Sequence, residues 1–411
     1  MLCYSQLMKN EQRDYDIIVW GASGFTGRLV AEYLNAQHGT GSNVRWAMAG
    51  RNAGKLGEVA EAIGANGIPL VTADANDPKT LGDMARSTKA IITTVGPYQK
   101  YGEPLVAACA AAGTDYVDLS GEPPFMRKMI DQYSEEAKAS GARIVHSCGF
   151  DSIPFDMGVF YVQGLAKEKF GEPANEVKGR VLVAKGGASG GTVASMLTTI
   201  EKVGDPFVRD VMRDIYSLAP DDTASRPRQP DQNKPQFDRD TGKWVAPFIM
   251  AAINARNVHR SNMQMNYAYG EDFKYSEMMA APNAVAAMMM TGGMGASTGA
   301  LLFPPSRAAL KKFVLPKPGE GPTKTQREEG FYKVLFVAKN GSGDVVKAVV
   351  KGDRDPGYGS TSKLISEAAL CLAFDVDRDE TPGGVWAPAA AMGDKLIKRL
   401  HENAGLTFEP A

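Results

Sequence analysis

Over the first 150 residues, short apolar runs alternate with stretches whose apolar positions recur every three to four residues. Residues 16–20, ending at Trp20, predict a strand. After a glycine-rich turn, Phe25, Leu29, Val30, Tyr33 and Leu34 recur at helical spacing. The same alternation predicts strands at 44–49, 70–72, 90–95, 116–119 and 143–148. Between them it predicts helices at 55–63, 78–85, 103–112 and 124–139. Asp77 followed by Pro78 reads as an N-cap with proline at the first helical position. Strands alternating with helices imply βαβ units and a parallel sheet.

After Gly149 the rhythm changes. Residues 177–184 alternate as a strand, and 189–203 read as a helix with a small-residue start. Residues 205–247 hold six prolines and many charges and read as a long polar excursion. Two runs, 331–338 and 344–350, flank Asn340 to Gly343 as a β-hairpin. Residues 362–374 and 388–401 read as closing helices. The expected organisation is a first domain over 1–152, a second α/β domain over 153–355, and C-terminal helices over 356–411 that return to the first domain.

Charge and cysteine usage then narrow the classes. Lys+Arg is 46 and Asp+Glu is 47, a net charge of −1, so the basic excess of a nucleic-acid binder is absent. Cys3, Cys109, Cys148 and Cys371 lie far apart with no CxxC, and His38, His146, His259 and His401 are scattered. No disulfide framework and no metal site is expected. A cytoplasmic home follows, and no signal peptide is read at the start.

The chemistry begins at residues 21–27, Gly21-Ala-Ser-Gly24-Phe-Thr-Gly27, placed directly after a strand and opening a helix. Gly21 allows a sharp turn, Gly24 lets backbone approach a pyrophosphate, and Gly27 lets helix and sheet pack closely. The helix N-terminus offers free N–H groups to phosphates, with Phe25 in the turn and Ser23 and Thr26 adding hydroxyls. The expected fold is therefore α/β, a Rossmann dinucleotide-binding domain with a second α/β domain inserted before the C-terminal helices. Where an NAD site wants a carboxylate after the second strand, this chain has Gly50, Arg51 and Asn52, with Lys55 one turn on. An arginine fork suits a 2′-phosphate, so the expected cofactor is NADP(H). Asp74 is placed to reach the adenine amino group. Val95, Gly96, Pro97 and Tyr98 end the fourth strand, where the crevice holds the nicotinamide half.

Five motifs in order carry a resemblance: Gly21 to Gly27, Ala49-Gly50-Arg51, Val95 to Tyr98, Tyr116 to Glu122, and Cys148 to Pro154. Near the end, Gly357 to Gly359 and Gly383 to Gly393 extend it over nearly the whole chain. The sequence resembles the saccharopine dehydrogenase-like oxidoreductases, most closely the branch with the trans-acting enoyl reductases of mycobacterial lipid synthesis. The resemblance implies a dinucleotide-binding domain with an inserted α/β domain. Saccharopine enzymes need several cations for a multi-carboxylate substrate, whereas residues 245–305 offer only Arg256, His259, Arg260 and Lys274. This favours an acyl chain or another lipid-like substrate.

The expectation is an NADPH-dependent oxidoreductase reducing a carbon–carbon double bond on an apolar or lipid-linked small molecule. The rivals are a saccharopine-type amino-acid dehydrogenase and a non-catalytic NADP(H)-binding protein at a lipid surface. Enoyl reduction needs a proton at the α-carbon. Tyr98 and Asp151, both at strand C-terminal edges, are the catalytic candidates. His146 reads as a core histidine, and Asp118 and Glu122, on the loop after the fifth strand, read either as holding ribose or substrate or as solvent-facing loop charges. No Tyr-x-x-x-Lys pair is present.

Residues 278–306 carry no charge. They are long enough to span a bilayer but poor in Leu, Ile and Phe. Their glycines argue against one long helix. A mobile apolar lid beside the substrate cleft is expected, with peripheral membrane contact through 278–306 and a homodimer left open.

Overall fold

Strand β1 (Tyr15–Trp20) is apolar on both faces, with Ile17, Ile18 and Val19 fully buried, and such a strand must be covered on both sides. In the computed structural model, which describes residues 13–41, 43–187, 190–220, 225–313 and 321–411, helices supply that cover. Five strands follow at the expected places: β2 (Trp46–Gly50), β3 (Leu70–Thr72), β4 (Thr88–Thr93), β5 (Asp115–Val117) and β6 (Arg143–Val145). Each is joined to the next by a helix: Phe25–His38, Ala53–Ala62, Pro78–Arg86, Glu103–Ala112 and Pro123–Ser140. Asp77 caps the third of these by accepting from the Lys79 N–H.

The helix Ile153–Phe170 leaves β6 and crosses to a second sheet. That sheet holds β7 (Glu176–Lys185), β8 (Gln236–Asp238), β9 (Lys243–Pro247), β10 (Lys274–Ala281), β11 (Phe331–Lys339) and β12 (Val345–Gly352). The chain then returns. Helix Thr361–Phe374 packs on the first sheet, and β13 (Gly384–Trp386) pairs with β6. Helix Pro388–Asn403 lies against Ile153–Phe170, and β14 (Leu406–Pro410) pairs with β12. The strand orders are β13-β6-β5-β4-β1-β2-β3 and β14-β12-β11-β7-β10-β9-β8. Every pairing in the first sheet is parallel. In the second only β7 and β10 run parallel.

The structure differs from the sequence reading in four places. The polar excursion contains helix Pro206–Arg213 and strands β8 and β9. The C-terminal segment returns its helices and β13 to the first domain but gives its last strand to the second sheet. The helix expected from Ser189 begins at Gly190, and Ser189 itself, like Cys3, lies outside the described residues. The uncharged stretch is not broken by its glycines. Met278–Ala281 completes β10, and Ala284–Leu302 is one continuous helix of 19 residues. The Asn283 side chain caps it through the Ala286 N–H, and only Ala287 and Leu301 along it are buried. Tertiary attachment at both ends outweighs the weak helix propensity of its glycines.

Candidate active site

The C-terminal ends of β1, β4, β5 and β6 lie on one edge of the first sheet, and the sequence motifs meet there. Gly21 has φ +85°, and a Cβ on it would stand 2.6 Å from Val95 Cγ2. A Cβ on Gly27 would stand 2.2 Å from the Gly21 carbonyl oxygen, so the helix sits hard against the turn. Gly24 is the N-cap of helix Phe25–His38 and has no side-chain cap, which leaves the first N–H groups of the helix open among the described residues. Ser23 and Gly24 are exposed, whereas Phe25 and Thr26 are half-buried. An open helix N-terminus with no side chain at Gly24 fits a dinucleotide pyrophosphate. The Phe25 ring stands edge-on to Tyr358 at 4.7 Å and lies under the Arg327 guanidinium at 5.7 Å.

After β2, Gly50 is buried against Leu56, and Arg51, Asn52 and Lys55 are exposed. Asn52 Oδ1 accepts from the Lys55 N–H at 3.0 Å, so this side chain caps the next helix. Arg51 is exposed directly after β2 and makes no ion pair among the described residues. Asp74 closes its own turn: Oδ1 accepts from the Asn76 N–H at 2.9 Å.

The loop after β4 leaves Gly96 exposed and Val95 and Pro97 half-buried. Helix Gly190–Glu201 roofs it: a Cβ on Gly96 would lie 3.8 Å from Ser195 Oγ, and Gln99 Nε2 donates to Thr199 Oγ1 at 2.8 Å. Tyr98 is 5% exposed. Its hydroxyl donates to the Thr93 carbonyl at 3.2 Å and accepts from the Leu119 N–H at 3.1 Å. Burial, with Asp118 nearby, pushes its pKa well above the usual phenol range. The geometry makes Tyr98 a clasp between β4 and β5.

Asp118 and Glu122 are not solvent-facing loop charges, since both are buried. Glu122 accepts from the Tyr98 and Gln99 N–H groups, each at 2.9 Å. Asp118 accepts from the Ser120 and Ser147 N–H groups, the Tyr116 hydroxyl, and His146 Nδ1 at 2.7 Å. His146 is a core histidine between Tyr116 and Phe125. Asp151, on the loop after β6, is different. It is half-buried, and its carboxyl has no hydrogen-bond partner among the described residues. Desolvation pushes its pKa up to about 6.

Behind Asp151 runs a buried polar chain that the sequence did not disclose. Ser152 Oγ donates to Asn254 Oδ1 at 3.1 Å, and Asn254 Nδ2 donates to Glu277 Oε1 at 2.7 Å. The Tyr275 hydroxyl donates to Glu277 Oε2 at 2.7 Å. Burial pushes Glu277 up to about 8. Asp156, which accepts from Ser261 Oγ and the Ala389 N–H, each at 2.8 Å, is pushed up to about 7.

Of the four cations the sequence offers in residues 245–305, Lys274 is exposed and the other three are buried. Arg256 is buried and donates to the Val211 and Met212 carbonyls, and Arg260 to those of Leu218 and Val385. His259 is buried, and desolvation lowers its pKa to about 3, so it is neutral.

Fold and site together define an NADP(H)-binding oxidoreductase. A family model for the NADP-binding domain of saccharopine dehydrogenase matches residues 17–145. A candidate trans-acting enoyl reductase of Mycobacterium tuberculosis is 44% identical over 406 residues, covering 94% of this chain and 96% of that protein. A trans-acting enoyl reductase of Mycobacterium ulcerans is 40% identical over 415 residues, covering 96% and 97%. The solved apo saccharopine dehydrogenase (L-Glu forming) of Saccharomyces cerevisiae shares the fold, with TM-score 0.50 and 12% identity over 97% of this chain and 100% of that one. The chain belongs to the saccharopine dehydrogenase-like oxidoreductases, in the trans-acting enoyl reductase branch.

Proposed function

We propose that the chain uses NADPH to reduce a carbon–carbon double bond conjugated to the carbonyl of a lipid-linked acyl substrate. The observation that carries the substrate class is the fate of Arg256 and Arg260. Both guanidinium groups are turned onto backbone carbonyls, and His259 is neutral, so of the four cations in residues 245–305 Lys274 alone stays exposed, one charge where a multi-carboxylate amino acid requires several. The names of the mycobacterial relatives support the same reaction class.

NADPH supplies a hydride when bound. Gly21, Ser23, Gly24, Phe25, Thr26 and Gly27 would hold its pyrophosphate, and Arg51 with Lys55 its 2′-phosphate. Val95, Gly96 and Pro97 would border the nicotinamide, and Asp74 the adenine. Reduction places a hydride on the β-carbon and a proton on the α-carbon. Asp151 is the proton donor in this reading, because its partnerless carboxyl, raised to about 6, keeps a protonated fraction near neutrality. Tyr98 positions the β4 loop.

The domain division at 152/153 and 355/356, a homodimer, a cytoplasmic location and a peripheral membrane contact through 278–306 belong to the same proposal. Helix Ala284–Leu302 is long and apolar enough to cross a membrane by length and composition. The test is NADPH oxidation with an α,β-unsaturated acyl thioester, with the saturated product identified by mass. Turnover of a dicarboxylic amino acid instead would overturn the reading. NADPH binding without turnover of any acyl substrate would favour a non-catalytic role.

A further inference from the structure

Helix Ala284–Leu302 has two unlike faces. The inner one is fastened near both ends. Ala287 packs with Ala246 and Ala281, Met290 lies against the same cluster, and Leu301 packs on Leu197 beside Ile200 and Leu310. The outer face carries large apolar side chains in the open. Val285 is 61% exposed, Met288 55% and Met289 71%, and beyond the helix Phe303 is 62% and Phe313 76% exposed. Exposed apolar residues clustered this way mark an interaction surface.

Charge says what kind of surface. From residue 278 to 313 there is no Asp or Glu, and the only charges are Arg307, Lys311 and Lys312 at the distal end. Lys311 is paired with Glu201 at 2.6 Å, whereas Lys312 is exposed and lies over the Phe313 ring at 5.1 Å. An apolar face with cations and aromatics at its edge matches an interfacial helix on an anionic membrane. The fastened inner face argues against a span, because threading the helix through a bilayer would tear it from β9 and from helix Gly190–Glu201.

We infer that the outer face of Ala284–Leu302, with Phe303 and Phe313, docks in the plane of an anionic phospholipid surface. The inference rests on the lipid-linked reading and adds its partner and geometry. The docking face lies one helix away from the cofactor loop. Helix Gly190–Glu201 touches Leu301 through Leu197 on one side and reaches Gly96 and Gln99 through Ser195 and Thr199 on the other. An acyl chain rising from the surface therefore meets the crevice at the β4 edge.

The experiment is flotation of the full chain with vesicles of phosphatidylcholine alone or with about one-third phosphatidylglycerol. The chain should float with the anionic vesicles. Met289→Glu and Lys312→Glu should each weaken this about tenfold. NADPH affinity, measured by fluorescence on the same samples, should not change. No flotation of the wild type, together with a dimer in light scattering that Met289→Glu dissociates, would overturn the inference and assign the face to a second copy. No flotation from a monomer would also overturn it. Enoyl reduction that survives such a failure would leave the reaction standing, and flotation without enoyl reduction would do the reverse.

Discussion

Glycines 24 and 27 sit three residues apart yet should answer substitution in opposite ways. Gly24 is exposed, with ordinary φ and one backbone atom, the Gly21 oxygen, 3.2 Å from an added Cβ. Gly24→Val should keep the fold and lower NADPH affinity at least tenfold in a fluorescence titration, because the branch occupies the pyrophosphate position. Gly27 has backbone 2.2 Å from an added Cβ, so Gly27→Val should lower the melting temperature instead. At the next motif, Arg51→Asp removes a charge-assisted hydrogen bond worth roughly 1.5–3 kcal/mol. NADPH affinity should fall ten- to a hundred-fold while NADH affinity holds, and equal losses would make Arg51 structural. Asp151 sets the pH behaviour. Its raised pKa of about 6 means that the acid form is lost as pH rises through that value. Acyl-substrate turnover limited by its proton should fall above about pH 6. Asp151→Asn should remove that limb and lower the rate by roughly 10²–10⁴. An unchanged pH profile in the variant would place the donor elsewhere.

At the level of elements, helix Ala284–Leu302 holds Gly292, Gly293, Gly295 and Gly299, each with nothing within 4 Å of an added Cβ. Gly292→Ala and Gly295→Ala should therefore each stabilise the helix by about 0.5–1 kcal/mol, read as a higher denaturant midpoint. A lowered midpoint would mean that the glycines serve a close approach the free chain does not show. This helix also explains where sequence reasoning falls short. Strands β1, β2 and β4 to β6 were legible because strands of a covered parallel sheet are near-continuous apolar runs. The hairpin of β11 and β12 was legible from its turn residues. Strand β8 has three residues, two of them exposed, and β13 has three residues including a glycine, so neither carries a period long enough to detect. The phosphate-facing glycines and Arg51 are local in sequence and visible there. Asp118 and Glu122 looked like loop charges because their partners are backbone N–H groups and residues up to 29 positions away. The links from Ser152 to Asn254 and on to Glu277 span 102 and 23 positions, and no local pattern reports them.

Over the whole molecule, the two sheets are joined by helix Ile153–Phe170 and by the returning C-terminal segment, with buried carboxyls in this polar seam. Asp156, on that helix, accepts from the Ala389 N–H of the returning segment. Glu277, on the second sheet, is reached from Ser152 through Asn254. Burial raises both above the usual carboxylate range, to about 7 and about 8. A carboxyl whose folded pKa lies above its unfolded value binds its proton more tightly in the fold. Its contribution to stability is fully present below about pH 4 and is lost as pH rises through the folded value. The protein should therefore melt at a lower temperature at pH 9 than at pH 5. Glu277→Gln should recover part of that loss, on the order of 3 kcal/mol at pH 9, because the amide carries no charge to desolvate. The substitution keeps an oxygen for Asn254 Nδ2 and lets the Tyr275 hydroxyl turn from donor to acceptor. Melting curves of wild type and variant at the two pH values decide the matter. An equal pH dependence in both would show that Glu277 titrates as an ordinary carboxylate, and the seam would then owe its pH sensitivity to Asp156 and Asp151 alone.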